Sequence, residues 1–458
     1  MKEDFQCSAH GTRHPLLHLG LKLTHFHNVT FAVSQPVLTG LQNEAKNCRH
    51  GQYGPIKFVE VTSEEAIHGA IKTVTDPSEF KDRFKEIYSS MRGFLATVPS
   101  AKATRKPAAS HPGITGDVDL VIVENLLGPV PYVLHERGIP YYLFNSMRTF
   151  LAQIFLTIDI DEPADFEPLS HVNRSFYRPS VGHKMLDPFL EAIKDVVVEH
   201  CAEANHSSKG LIINSLREAE TEGVAELLAL PHMQKMRTFC VGPLIPDFQE
   251  QSSTTEPSKG EEVLKWLDSQ DTESVTYISF GSMAQPSPDE IVEIAGALLA
   301  TNGPFIWSLQ AEHHIHLPPG IQEGTRNHKF LVVSWAPQKR ILSHPATKLF
   351  FSHCGWNSTQ EALASGTPMV CWPMFADQLM NAEWLEREGV GKLITGTGIA
   401  ANRLVPACEI AGLLAFVADK TNGHKEAAKV WQAKIQTALA VGGSSTAEFE
   451  NLVQSLEV

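Results

Sequence analysis

Residues 335–378 read WAPQKRILSHPATKLFFSHCGWNSTQEALASGTPMVCWPMFADQ, and chemistry-bearing side chains are concentrated there. In the middle, Leu349–Ser352 is a short apolar run, followed by His353-Cys-Gly-Trp-Asn-Ser358. Ser358-Thr-Gln-Glu361 matches a capping box and predicts a helix that contains Glu361, Ala362 and Leu363. A strand, a glycine turn and a helix start carrying Asn357 and Ser358 present backbone N–H groups and the positive end of a helix dipole. That arrangement suits a phosphate or pyrophosphate. His353 at the strand end could add a hydrogen bond or a charge to the same group.

The flanks of this stretch fit a nucleotide-sugar. Trp335 could stack on a planar base, and Glu361 could bind a ribose diol. Asp377 and Gln378 follow another apolar run and could read sugar hydroxyls through paired hydrogen bonds. All of these groups fall at the carboxyl ends of expected strands, where open α/β sheets bind ligands.

The elements that must position them recur along the whole chain. Apolar, β-branched or aromatic runs predict strands at Val29–Val33, Ile56–Val61, Asp119–Val123, Tyr141–Phe144 and Leu211–Ile213. The second half repeats the pattern at Val275–Phe280, Phe305–Leu309, Phe330–Ser334, Leu349–Ser352 and Met369–Trp372. Strands alternating with helical patterns argue for α/β units around parallel sheets, and near-continuous apolar runs fit sheets covered on both faces. Pro15 predicts a helix start, and Ser287-Pro-Asp-Glu290 predicts a capped one, followed by Ile291, Ile294, Ala295, Leu298 and Leu299 at helical spacing. Residues 101–116 read as an exposed loop. Residues 247–261 read as a linker, being polar and rich in Ser, Thr, Pro and Gly. At 458 residues, two domains are the natural division.

Composition narrows the function classes. The net charge is −14 without a basic stripe, which argues against a nucleic-acid partner and requires a local device to hold any anion. The seven cysteines form no CxxC pair or metal-ligand spacing with histidine and read as reduced thiols, so no metal is expected. No apolar leader or long apolar stretch is visible, which predicts a soluble, cytoplasmic protein with no membrane partner, taken as a monomer. No strand run is followed by G-x-G-x-x-G, which disfavours a nicotinamide-dependent oxidoreductase.

The stretch from Trp335 to Gln378 closely resembles the signature box of plant family 1 UDP-glycosyltransferases, at W-A-P-Q, H-C-G-W-N-S, the following Glu361, G-x-P and W-P-x-x-x-D-Q. Trp266-Leu-Asp268 with Val275-x-Tyr-Ile-Ser-Phe-Gly-Ser282 resembles the opening of that family's C-terminal domain. Pro15-Leu-Leu-His-Leu resembles its first helix, and Gly442-Gly-Ser-Ser resembles its C-terminus. The resemblance implies an α/β fold of two Rossmann-like domains facing across a cleft, of the GT-B type. Residues 1–246 would bind the acceptor, 262–440 would bind the UDP-sugar, and the helix in 441–458 would pack back on the first domain. It further implies an inverting transfer from a UDP-sugar in plant secondary metabolism, with no cofactor beyond the co-substrate. The final glutamine of the box, Gln378, goes with glucose from UDP-glucose in that family, and the acceptor is expected to be a small aromatic molecule that takes the sugar on a hydroxyl or carboxyl.

Carried over by position, Trp335 would stack on uracil, with Ala336 and Gln338 at its edge and the ribose. Ser282, His353, Asn357 and Ser358 would hold the diphosphate, and Glu361 the ribose hydroxyls. Trp356, Asp377 and Gln378 would contact the sugar. Lys348-Leu349 stands where the family usually has paired glycines.

The family's base position, within G-H-x-x-P, is Thr12 here, in Gly11-Thr-Arg-His-Pro15. Its aspartate partner is replaced by Glu124 at the end of Asp119-Leu-Val-Ile-Val. Three substitutes are open: His10 or His14, Glu124 acting directly or through water, or an acceptor acidic enough to need little help. The alternative is a catalytically impaired UDP-sugar-binding protein. Ahead of Gly11, Phe5-Gln-Cys-Ser8 supplies only half of a first strand, which points to a truncated or edited N-terminus. Acceptor-lining loops are expected around 75–110, 125–130 and 145–185, with Phe80, Phe84, Met91, Phe94, Phe150, Phe155, Phe166 and Phe176.

Overall fold

The computed structural model describes residues 10–33, 35–47, 53–60, 89–104, 107, 109–125, 130–149, 207–229, 233–245, 259–281, 285–374, 376–397 and 403–457. Two compact units divide them. The first takes the described residues up to Glu250 together with Ala438–Val458, and the second takes those of Gln251–Thr437.

In the second unit, six strands form one parallel sheet: β7 Val275–Ser279, β8 Phe305–Ser308, β9 Leu331–Val333, β10 Thr347–Ser352, β11 Met369–Cys371 and β12 Gly391–Leu393. Their order is β9-β8-β7-β10-β11-β12, so the strand order reverses between β7 and β10. Such a reversal opens a crevice beyond the strands' carboxyl ends, the usual ligand position in open α/β sheets. All five residues of β7 are buried, as a strand with helices on both faces requires. Beneath the edge, Phe280, Phe351 and Trp372 meet at 5.4–6.2 Å between ring centres and anchor the strand ends. Helix Pro288–Thr301 carries the expected Ser287/Glu290 capping box and buries Ile291, Ile294, Ala295 and Leu298.

The first unit contains a parallel pair, β1 Val29–Val33 and β2 Ile56–Glu60, and a four-stranded parallel sheet. The latter runs in order β3 Val121–Glu124, β4 Tyr141–Asn145, β5 Gly210–Ile213 and β6 Arg237–Cys240. Helix Ser444–Leu456 buries Phe449, Leu452, Val453 and Leu456 in the same core as Tyr142, Phe144, Ile212 and Phe239. The Tyr142 hydroxyl donates to the Ser455 carbonyl at 3.1 Å, Ser445 Oγ donates to the Gly242 carbonyl at 2.6 Å, and Arg217 pairs with Glu448 at 2.7 Å.

Several expectations change. The first helix begins at His10 and not at Pro15, which lies inside it. Strands β6 and β12 escape the apolar-run criterion because one starts Arg-Thr and the other is only Gly-Lys-Leu. Phe94 is no loop side chain: it lies in a helical stretch over 89–96, is buried, and packs against His111 at 5.4 Å. Met91 is half-buried in that stretch. Phe80, Phe84, Phe150, Phe155, Phe166 and Phe176, like residues 247–258, lie outside the described residues. No described helix is long and apolar enough to cross a membrane.

Candidate active site

The reversal point of the second sheet brings the end of β7 against the end of β10. Gly281 follows β7 with φ +79°, and His353 follows β10. The imidazole lies between two glycines: a Cβ at Gly281 would stand 2.7 Å from His353 Nε2, and one at Gly355 2.6 Å from it. Cys354 takes a left-handed φ of +63°, which turns the chain from strand into helix Trp356–Ser365. Burial pushes the His353 imidazole down to about 4, and a backbone hydrogen bond at Ser279 only partly opposes this. At neutral pH the ring is therefore uncharged, and it offers a hydrogen bond and not a positive charge.

The helix itself starts differently from the capping-box reading. Its N-cap is Gly355, no side chain caps it, and Ser358 and Glu361 fall inside it. The N-terminal turn thus presents its backbone N–H groups and dipole at the reversal point. Glu361 accepts from Gln338 Nε2 at 2.7 Å. The same Nε2 donates to Ser358 Oγ at 3.0 Å, and Gln338 Oε1 accepts from the Tyr277 hydroxyl at 3.2 Å. Tyr277 is fully buried on β7, and its burial raises the phenol pKa, so it stays a neutral donor. Tyr277 was missed by the sequence reading because it lies inside an apolar run.

Trp335 follows β9 with half of its surface exposed, an unusual placement for an indole, while Ala336 beside it is buried. The Gln338 amide N–H donates to the Ala336 carbonyl at 2.9 Å, which fixes the turn between them. Trp335, Gln338 and Glu361 therefore belong to the edge formed by the ends of β9 and β10.

On the other side of the reversal, Asp377 and Gln378 open helix Gln378–Arg387, and both are nearly buried. Gln378 Oε1 accepts from the Met374 amide at 2.8 Å. Asn381, one helical turn on, donates through Nδ2 to Asp377 Oδ2 at 2.8 Å and to the Cys354 carbonyl at 2.9 Å. It ties the carboxylate to the His353 turn. The i, i+4 spacing from Asp377 is the sequence signal that could have found it. The Trp356 indole is buried and packs edge-on against Trp384 at 5.8 Å. Asn357 is half-buried in the first helical turn. Ser282 lies outside the described residues.

In the first unit, Thr12 and His10 occupy the first turn of helix His10–Leu23. His14 Nδ1 sits 2.6 Å from the Glu44 carboxylate. Glu124 ends β3, is buried, and accepts from Ser146 Oγ at 3.4 Å. Among the described residues, no group of three or more His, Cys, Asp or Glu side chains could hold a metal ion.

Comparison with known proteins gives this arrangement its context. The family model described as UDP-glucoronosyl and UDP-glucosyl transferase matches residues 192–411. An anthocyanidin 3-O-glucosyltransferase from Manihot esculenta is 36% identical over 214 residues, which cover 46% of this chain and 71% of that protein. The chain belongs to the plant family 1 UDP-glycosyltransferases.

Another relative in this glycosyltransferase family, UDP-glycosyltransferase 84A1 of Arabidopsis thaliana, is 39% identical over 202 residues, covering 42% of this chain and 41% of that protein. The chain matches 41–60% of the length of the first curated relatives. A solved Medicago truncatula glycosyltransferase, UGT71G1 complexed with UDP-glucose, aligns over 97% of this chain and 96% of its own, with TM-score 0.76 and 23% identity. That likeness establishes the GT-B fold, two α/β domains with parallel sheets.

Proposed function

We propose that the chain transfers glucose from UDP-glucose to a hydroxyl or carboxyl of a small aromatic acceptor, with inversion at the anomeric carbon. The observation that carries this reading is the reversal point of the second sheet, where His353 lies between Gly281 and Gly355 at an uncapped helix start. A diphosphate fits there, held by the N-terminal turn at Asn357 and Ser358, by the neutral imidazole, and by Ser282 as a further expected contact. From that anchor, Trp335 stacks on uracil, with Ala336 and Gln338 at the base edge. Glu361, held by Gln338, receives the ribose hydroxyls. Trp356, Asp377 and Gln378 bound the sugar, with Asp377 oriented by Asn381.

Inversion follows from a single displacement. The acceptor oxygen approaches the anomeric carbon opposite the departing UDP, and the helix dipole and imidazole stabilise charge developing on the diphosphate. The names of the relatives support a glucosyl donor and flat acceptors: the Manihot esculenta protein is an anthocyanidin glucosyltransferase, and the Medicago truncatula structure holds UDP-glucose. On this reading, residues 1–246 bind the acceptor and 262–440 bind the UDP-sugar.

One observation favours a second reading. Thr12 stands where the family resemblance expects a histidine base, and threonine is no base near neutral pH. A protein that binds UDP-sugars without turnover would result. UDP release from UDP-glucose, measured with a pool of phenolic and carboxylic acceptors, separates the two. Turnover by the unmodified protein supports the transferase. Turnover only after Thr12→His supports the binding protein, and silence from both alongside millimolar-or-weaker UDP binding refutes the donor site.

A further inference from the structure

Gln338, Ser358 and Glu361 share one buried support. Tyr277 stands in the middle of β7, 1% exposed, with its ring stacked on Phe350 of β10 at 5.0 Å and 13°. Its hydroxyl meets Gln338 Oε1 at 3.2 Å. Gln338, Ser358 and Glu361 are themselves only partly buried, so they remain open to a ligand. The direction of every bond in this cluster follows from Glu361. A carboxylate only accepts, so the Gln338 atom 2.7 Å from it is Nε2. The second proton of that nitrogen goes to Ser358 Oγ at 3.0 Å. Oε1 is then the atom left toward Tyr277, and the phenol must donate to it. The Ser279 and Ser308 side chains also face the phenol, and their hydroxyls can donate to its oxygen, which leaves the phenol proton to the amide. Burial raises the phenol pKa, so that proton is present throughout the neutral range. Ser358 accepts from Gln338 and keeps its own proton to donate. The cluster thus presents one carboxylate acceptor and one hydroxyl donor within a single turn of helix Trp356–Ser365.

We infer that Tyr277 is a positioning residue for the nucleotide's ribose. Its hydroxyl sets the Gln338 amide, which in turn holds Glu361 to accept from the ribose hydroxyls and Ser358 to donate to a ligand oxygen. This rests on the UDP-sugar reading above. Without the phenol proton, Gln338 Oε1 faces a buried ring edge with no donor, an unfavourable state that the amide relieves by turning Oε1 outward. Turning takes Nε2 away from Glu361 and Ser358 together, because one nitrogen holds both. The carboxylate loses that brace and its hydrogen bonds to the ribose weaken, whereas stacking of the base on Trp335 does not involve the cluster. A nucleotide that lacks a ribose hydroxyl has less to lose from the change than one that has both.

Calorimetric titration of the full chain with UDP and with 2′-deoxy-UDP tests this. The unmodified chain should favour UDP. Tyr277→Phe, which keeps the stacked ring, should raise the Kd for UDP roughly 5- to 30-fold and that for 2′-deoxy-UDP by no more than about threefold. A merely structural role would weaken both nucleotides alike, so the ratio of the two affinities is the readout. Gln338→Leu changes the partly exposed end of the cluster and should narrow the same ratio, which keeps the test alive if Tyr277→Phe does not fold. Adding Tyr277→Phe to Gln338→Leu should change the Kd for UDP by less than about twofold, because the group that the phenol orients is already gone. No preference of the unmodified chain for UDP over 2′-deoxy-UDP, an unchanged ratio in either variant, or a full further loss in the double variant each overturns the inference. Failure of the unmodified chain to bind either nucleotide overturns the UDP-sugar reading and this inference with it.

Discussion

Substituting Gly355 with alanine tests the packing at the reversal point most sharply. The backbone there has φ −56° and ψ 142°, which alanine adopts without strain, so any cost comes from the added methyl alone. That methyl would lie 2.6 Å from His353 Nε2 and 3.3 Å from Cδ2. The ring must retreat by roughly 0.8 Å to regain ordinary contact. It is braced by Ser352 Oγ at 3.5 Å from Nδ1 and by the Ser279 backbone, so the retreat is resisted. Overpacking of this kind costs about 1–3 kcal/mol, and UDP affinity should fall by about 5- to 150-fold. Gly281→Ala should cost about 1–2 kcal/mol more, because its φ of +79° is left-handed. The assay is a double-mutant cycle with His353→Ala, read by urea unfolding and by UDP titration. With the imidazole gone, Gly355→Ala should be close to neutral in stability, giving a coupling of about 1–3 kcal/mol. An equal loss in both backgrounds would refute the argument that the glycines exist to admit this ring.

Trp335→Ala should leave stability within about 0.5 kcal/mol, because half of the residue is exposed, yet weaken UDP binding by about 1–3 kcal/mol. Unfolding curves and UDP titration on one preparation check both halves. Asn381→Leu removes the donor shared by Asp377 and the Cys354 carbonyl and should cost about 1–3 kcal/mol of stability. Its kcat/KM for UDP-glucose should fall more than its affinity for UDP, which lacks the sugar. Because His353 takes up its proton near pH 4 when folded and near 6.5 when unfolded, its contribution is complete above pH 6.5 and is lost as the pH falls toward 4. The loss approaches about 3 kcal/mol, and urea unfolding at pH 7 and pH 4.5 should show it shrinking in His353→Gln.

Much of the second unit was legible because its strands are buried on both faces and therefore read as apolar runs, as at Val275–Ser279 and Phe305–Ser308. The same criterion failed for Arg237–Cys240, where only the last two residues are buried, and for the three-residue Gly391–Leu393. The Ser287 box was readable because its serine precedes a proline at the helix start. The Ser358–Glu361 match misled because tertiary contact with Gln338 claims Glu361, and no local rule contains that partner. Gly355 reads as a turn and Gly281 as the end of a strand motif, but that both make room for one imidazole appears only when the fold brings them together. Asn125 falls in the expected 125–130 loop, but its hydrogen bond to Asn145, from the next strand, appears only in the fold.

Direct titration of the purified chain with UDP tests for a UDP-sugar site at the reversal point of the second sheet. Saturable binding that UDP-glucose displaces is expected, weakened by Trp335→Ala and by Gly355→Ala. No saturable UDP binding at millimolar concentration, or binding indifferent to both substitutions, would contradict it.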